Sequence, residues 1–87
     1  MKKNTILILE DDNGLRIGLT FDLEAEGYEV IAVSSCRMAL EAVEKSSIDL
    51  AILDVNLPDG DGFQVCGEIK KLQDIPVIFL TARDLII

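Results

Sequence analysis

Short, unbroken apolar runs that each stop at a polar residue constrain this chain more than any other feature. Thr5-Ile6-Leu7-Ile8-Leu9 runs into Glu10-Asp11-Asp12, Leu50-Ala51-Ile52-Leu53 into Asp54, and Ile75-Pro76-Val77-Ile78-Phe79-Leu80 into Thr81. Continuous rather than alternating hydrophobicity marks a strand buried on both faces, as in a parallel sheet covered by helices. Between these runs the apolar residues return at helical spacing. Leu15, Leu19 and Leu23 share one face of a helix over about 13–26, which Gly27 can close with a left-handed residue. Tyr28 to Val33 reads as a further strand, and Ser34-Ser35 can cap a helix with Ala39, Leu40 and Val43 inside, ending near Ser46-Ser47. Val55 to Gly62 is dense in turn residues, and Val65, Ile69 and Leu72 line a third helix. Pro76 is tolerable as the first residue of the last strand. The alternation predicts β-α-β-α units in one α/β domain.

Composition narrows the function classes. The 87 residues carry 16 Asp and Glu against 8 Lys and Arg, a net charge of −8, which is the wrong sign for tracking nucleic-acid phosphates. Direct DNA binding by this chain is therefore not expected. No apolar run approaches the ~20 residues that span a bilayer, so neither a membrane anchor nor a signal peptide is expected. Cys36 and Cys66 stand far apart and the chain has no His, which fits no zinc spacing and no disulfide framework. A reducing, cytoplasmic setting is the expectation, with both thiols as small core residues.

The polar ends of the runs carry the chemistry. In an open parallel sheet, ligands bind beyond the carboxyl ends of the strands, near the point where strand order reverses. Glu10, Asp11, Asp12, Asp54 and Thr81 all follow strands, and if the first and third strands are neighbours their carboxylates crowd one crevice. Crowded carboxylates repel unless a cation joins them. Hard oxygen ligands suit magnesium, which keeps several waters free for phosphate oxygens.

Competing readings fail on spacing. Any single acid at a strand end can be an ordinary solvated loop residue, and Lys70-Lys71 reads as a solvated helix end. Counted from Asp54, a calcium loop would need glycine where Asp59 stands and glutamate where Val65 stands. A phosphatase with an aspartate nucleophile would need a second acid where Asn56 stands.

Three motifs together are recognisable: Ile-Leu-Ile-Leu-Glu-Asp-Asp at 6–12, Leu-Asp-Val-Asn-Leu-Pro-Asp-Gly-Asp-Gly at 53–62, and Pro-Val-Ile-Phe-Leu-Thr-Ala-Arg-Asp at 76–84. The chain resembles the receiver domain of bacterial two-component response regulators, most closely the type preceding a winged-helix DNA-binding domain. The resemblance implies a flavodoxin-like, three-layer parallel sheet with its four strands ordered 2-1-3-4. It also implies a switch in transcription regulation rather than an enzyme, phosphorylated by a sensor histidine kinase. By position, Asp54 resembles the phosphoacceptor, Glu10 and Asp11 the acidic pair, and the Asn56 carbonyl a further ligand for Mg2+. Thr81 resembles the switch hydroxyl that bonds the phosphoryl group, and Ala82 the small residue that admits it.

The family pattern continues through a fourth helix, a fifth strand ending in Lys-Pro, and a fifth helix, none of which follows Leu85-Ile86-Ile87. Residues 1–87 are accordingly expected to be a partial receiver domain, with Arg83 a poor substitute for the lysine. A non-switching binding or oligomerisation module of the same fold is the alternative function, and an aspartate-nucleophile phosphatase ranks below it. A second apolar strip on the first helix, Ile17 and Phe21, together with an open last strand, leads to the expectation of a homo-oligomer.

Overall fold

The computed structural model describes residues 3–80. Four parallel strands form the main sheet: β1 (Thr5–Leu9), β2 (Glu29–Val33), β3 (Leu50–Asp54) and β6 (Val77–Leu80), in the order β2-β1-β3-β6. Helices α1 (Asn13–Ala25), α2 (Cys36–Lys45) and α3 (Gly62–Leu72) connect them. The strand order expected from the motifs is the one observed. β1 lies centrally, Leu7 facing Ile31 on one side and Ala51 on the other.

Pleating sends alternate residues of each strand to opposite faces. Leu7, Leu9, Ala51 and Leu53 join Ala39 and Val43 of α2 and Val65 and Ile69 of α3 in the larger core. Ile6, Ile8 and Ile52 face the other way, against Leu19 and Leu23 of α1. Full burial of a side chain such as Leu7 or Ile8 contributes about 2 kcal/mol, which makes β1 the anchor of both layers. Among the described residues α1 alone covers the second face. An open apolar hollow of about 460 Å3 remains there, lined by Leu23, Leu50, Ile52, Pro76 and Ile78 among others.

Several details depart from the pattern reading, among them Leu72, expected to line α3 with Val65 and Ile69 but 48% exposed. Leu15, expected inside with Leu19 and Leu23, is 45% exposed and lies outside the cluster that Leu19 and Leu23 join. The segment read as a plain loop holds a small antiparallel hairpin, β4 (Asn56–Leu57) and β5 (Gly60–Asp61), two residues a side and too short to show periodicity. The last strand begins at Val77 rather than at Pro76, whose ring nitrogen has no proton to donate although its carbonyl accepts from Ala51 N–H at 3.0 Å.

Helix caps are polar side chains identifiable in the sequence. Asp12, Ser35 and Asp61 each accept a main-chain N–H from the first turn of α1, α2 and α3 respectively. Gln73 closes the other end of the molecule: its amide donates to the carbonyls of Val43 and Ser46 and accepts from Ile48 N–H. Lys70, expected to be merely solvated, donates to the Ile75 carbonyl at 2.9 Å.

Candidate functional site

Glu10, Asp11 and Asp54 come together where β1 and β3 end. Each offers a carboxylate oxygen within 4.8 Å of the others. The adjacency follows from register: Leu9 pairs with Leu53, so the residues just past them emerge side by side. Glu10 and Asp54 are each 1% exposed, whereas Asp11 lies at the surface and leaves the cluster an opening to solvent.

Two neighbouring charges at about 5 Å repel by roughly 3 kcal/mol at an effective dielectric of 20, so this arrangement is costly as it stands. Glu10 shows the strain in its titration. Burial, followed by the proximity of Asp54, holds its carboxyl above the usual carboxylate value, although the Asp12 N–H at 2.8 Å works against this. Asp54 Oδ1 accepts from Asn56 N–H at 3.3 Å, while Oδ2 is buried with no hydrogen-bond partner among the described residues. A buried carboxylate oxygen with no partner among the described residues, in a cluster with two further acids, belongs to a set of hard oxygen donors, and Mg2+ fits that donor set.

The turn after Asp54 is held tightly. Gly62 opens α3 directly against it, and a Cβ there would meet the Asp54 carbonyl oxygen at 2.2 Å. Asp59, an exposed acid of the loop, reaches across to α2 and accepts from Cys36 N–H at 2.9 Å and Arg37 N–H at 3.4 Å. The Cys36 N–H in particular holds the Asp59 carboxyl below the usual carboxylate range. Burial, aided by Asp59, pushes the Cys36 thiol up to about 11, so it stays protonated at neutral pH, as a core residue should.

Of the residues singled out from the sequence, Glu10, Asp11 and Asp54 are brought together and Asn56 lies beside them through its bond to Asp54. Thr81 and Ala82 fall outside the described residues. Sequence reasoning missed Arg16, which donates to the Glu10 carbonyl at 2.8 Å and to the Asn13 side chain. The one available signal was helical spacing, which puts positions 13 and 16 on one face.

A family model described as the response regulator receiver domain matches residues 6–86. The chain belongs to the response regulator receiver family. Such receivers accept a phosphoryl group on an aspartate from histidine kinases, and those of transcriptional regulators are generally not enzymes. Among relatives, the receiver is similar to the transcriptional regulatory protein AfsQ1 of Streptomyces coelicolor, 38% identical over 92% of this chain and 36% of AfsQ1. The chain spans about a third of the length of the curated relatives it matches. Among solved structures, a CheY-like receiver from Methanospirillum hungatei superposes with a TM-score of 0.91 at 29% identity, over 97% of this chain and 68% of that one. TrrA of Thermotoga maritima, solved in complex with Mg2+-BeF, gives 0.86 at 35% identity, over 93% of this chain and 71% of TrrA. TrrA has also been solved in complex with the histidine kinase ThkA. Among the described residues no helix is long and apolar enough to cross a membrane.

Proposed function

We propose that Asp54 is the phosphoacceptor of this receiver, taking a phosphoryl group from a sensor histidine kinase in two-component signalling. The observation that carries the reading is the buried Oδ2 of Asp54, without a hydrogen-bond partner among the described residues, in the cluster with Glu10 and Asp11. The Asp54 carboxylate supplies the nucleophile: an oxygen–phosphorus bond forms as the donor's phosphorus–nitrogen bond breaks and the imidazole leaves. Such transfers need positioning and charge neutralisation more than covalent assistance. Glu10, Asp11, Asp54 and the Asn56 carbonyl would hold Mg2+, which when bound supplies neutralisation of the clustered acids and of the incoming phosphoryl oxygens.

The other residues position and read. Asn56 N–H holds one Asp54 oxygen in place. By motif position Thr81 donates a hydroxyl hydrogen bond to the phosphoryl group, with Ala82 leaving room for it. Acetyl phosphate replaces the kinase in a direct test: with Mg2+ the chain is expected to gain the mass of one phosphoryl group, and Asp54→Asn to gain none. An unchanged wild-type mass, or equal labelling of the variant, would remove the phosphoacceptor reading.

Self-association of a second copy is the other reading, favoured by one observation. Ile17 and Phe21 on α1 are 64% and 72% exposed and line a shared hollow with Ala32 of β2. Sedimentation velocity at micromolar concentration is expected to show a dimer that Phe21→Lys dissociates. A monomeric boundary in the parent chain would refute it.

A further inference from the structure

One basic side chain holds the acidic loop from behind. Arg16, in the first turn of α1, points its guanidinium back along the chain, Nη1 donating to the Glu10 carbonyl at 2.8 Å and Nη2 to the Asn13 side chain. Its main-chain N–H binds the Asp12 carbonyl at 2.9 Å, so backbone and side chain both grip residues 10–13. The Thr20 hydroxyl in turn donates to the Arg16 carbonyl at 2.8 Å. Arg37 pairs with Glu41 and Lys70 with the Ile75 carbonyl. Among the described residues Arg16 is therefore the one Lys or Arg side chain hydrogen-bonded to the acidic loop.

The carbonyl it grips belongs to the peptide that joins Glu10 to Asp11. The tilt of that peptide sets the direction in which the Asp11 side chain leaves the backbone, and Asp11 is the exposed member of the cluster. A planar guanidinium with two donors fixes the tilt where a single flexible ammonium cannot.

We propose that Arg16 is a positioning residue for the divalent cation, holding Asp11 in register with Glu10 and Asp54. The proposal rests on the reading of those three acids as a Mg2+ site. Groups that orient metal ligands typically change affinity by roughly 10-fold or more when removed, and Arg16→Met is expected to weaken binding by about 10-fold. Arg16→Lys keeps the charge and one donor and is expected to fall between the two.

The test is binding of the metal alone, with no phosphoryl donor: free Mn2+ read by electron paramagnetic resonance, and Mg2+ by its competition with Mn2+. Urea midpoints in EDTA accompany each titration. Weakened binding by Arg16→Lys at an unchanged metal-free midpoint supports positioning, since a merely structural side chain would move the midpoint instead. Wild-type affinity in folded Arg16→Met overturns the proposal. Should Arg16→Met fail to fold, Arg16→Lys decides alone, and equal affinity to wild type overturns it. Absence of Mn2+ binding by the wild type, or binding that survives Asp11→Asn combined with Asp54→Asn, would overturn the metal-site reading itself and is recognisable because no Arg16 variant is involved.

Discussion

Gly62→Ala is expected to destabilise the fold by about 3 kcal/mol, at the upper end of what overpacking one methyl group usually costs. The added Cβ would lie 2.2 Å from the Asp54 carbonyl oxygen, 3.0 Å from its carbonyl carbon and 3.2 Å from Val55 Cα. All three are backbone atoms, so no side chain can rotate aside. Relief requires either α3 to move away from the end of β3 or the 54–62 turn to open. Gly62 N–H also donates to the Val55 carbonyl at 2.9 Å, and either movement stretches that bond. The measurement is the urea midpoint, with acetyl phosphate labelling of the folded fraction as a second readout. An alanine variant as stable as the parent would show that the turn after Asp54 is looser than its packing indicates.

Asp54→Asn is expected to act in the opposite direction, stabilising the cation-free protein by about 2 kcal/mol while abolishing phosphorylation. The substitution keeps the shape and the acceptor for Asn56 N–H, removes one of three crowded charges, and replaces the oxygen that has no partner among the described residues with an amide that can donate to Glu10. The pH dependence follows from Glu10. Its carboxyl titrates above the ordinary 4.5, owing first to burial and then to Asp54. A raised folded-state value favours the protonated form, so this contribution is fully present below 4.5 and is lost as pH rises through the folded-state value. Without Asp54's charge the Glu10 value falls back toward normal and the loss of stability on raising the pH becomes smaller. Adding Mg2+ should reverse the order of stability, because only the intact site gains from ligand binding. A metal-free Asp54→Asn variant less stable than wild type at neutral pH would contradict this account of the site's electrostatics.

The sequence disclosed the framework of the site better than its supports. Apolar runs ending in Glu10 and Asp54 are continuous because β1 and β3 are covered on both faces, and that continuity is visible without coordinates; the run ending in Leu80 is equally apolar although Ile78 of β6 is half exposed. Neighbouring ends of β1 and β3 then follow from topology, which is why the Glu10, Asp11 and Asp54 cluster was legible. Helical spacing placed Leu19 and Leu23 correctly but misplaced Leu15, since periodicity reports which residues share a face and not how far along the helix that face is covered. The contacts of Asp59 with Cys36 and of Gln73 with Val43 join residues far apart in sequence, and no local pattern encodes them. Gly62 looked like one turn glycine among several, because only the position of the Asp54 carbonyl reveals why a side chain is excluded. Arg16 was passed over for a related reason: its partner is a main-chain carbonyl, which every residue possesses.

Identification of the modified residue tests the central claim most directly. After reaction with acetyl phosphate and Mg2+, borohydride reduction converts an aspartyl phosphate to homoserine, and fragmentation mass spectrometry of the resulting peptides reports its position. The expected result is a single homoserine at residue 54, absent when EDTA is present. Homoserine at Asp11, Asp12 or Asp59 in place of residue 54, or none anywhere, would contradict the assignment of Asp54 as the phosphoacceptor.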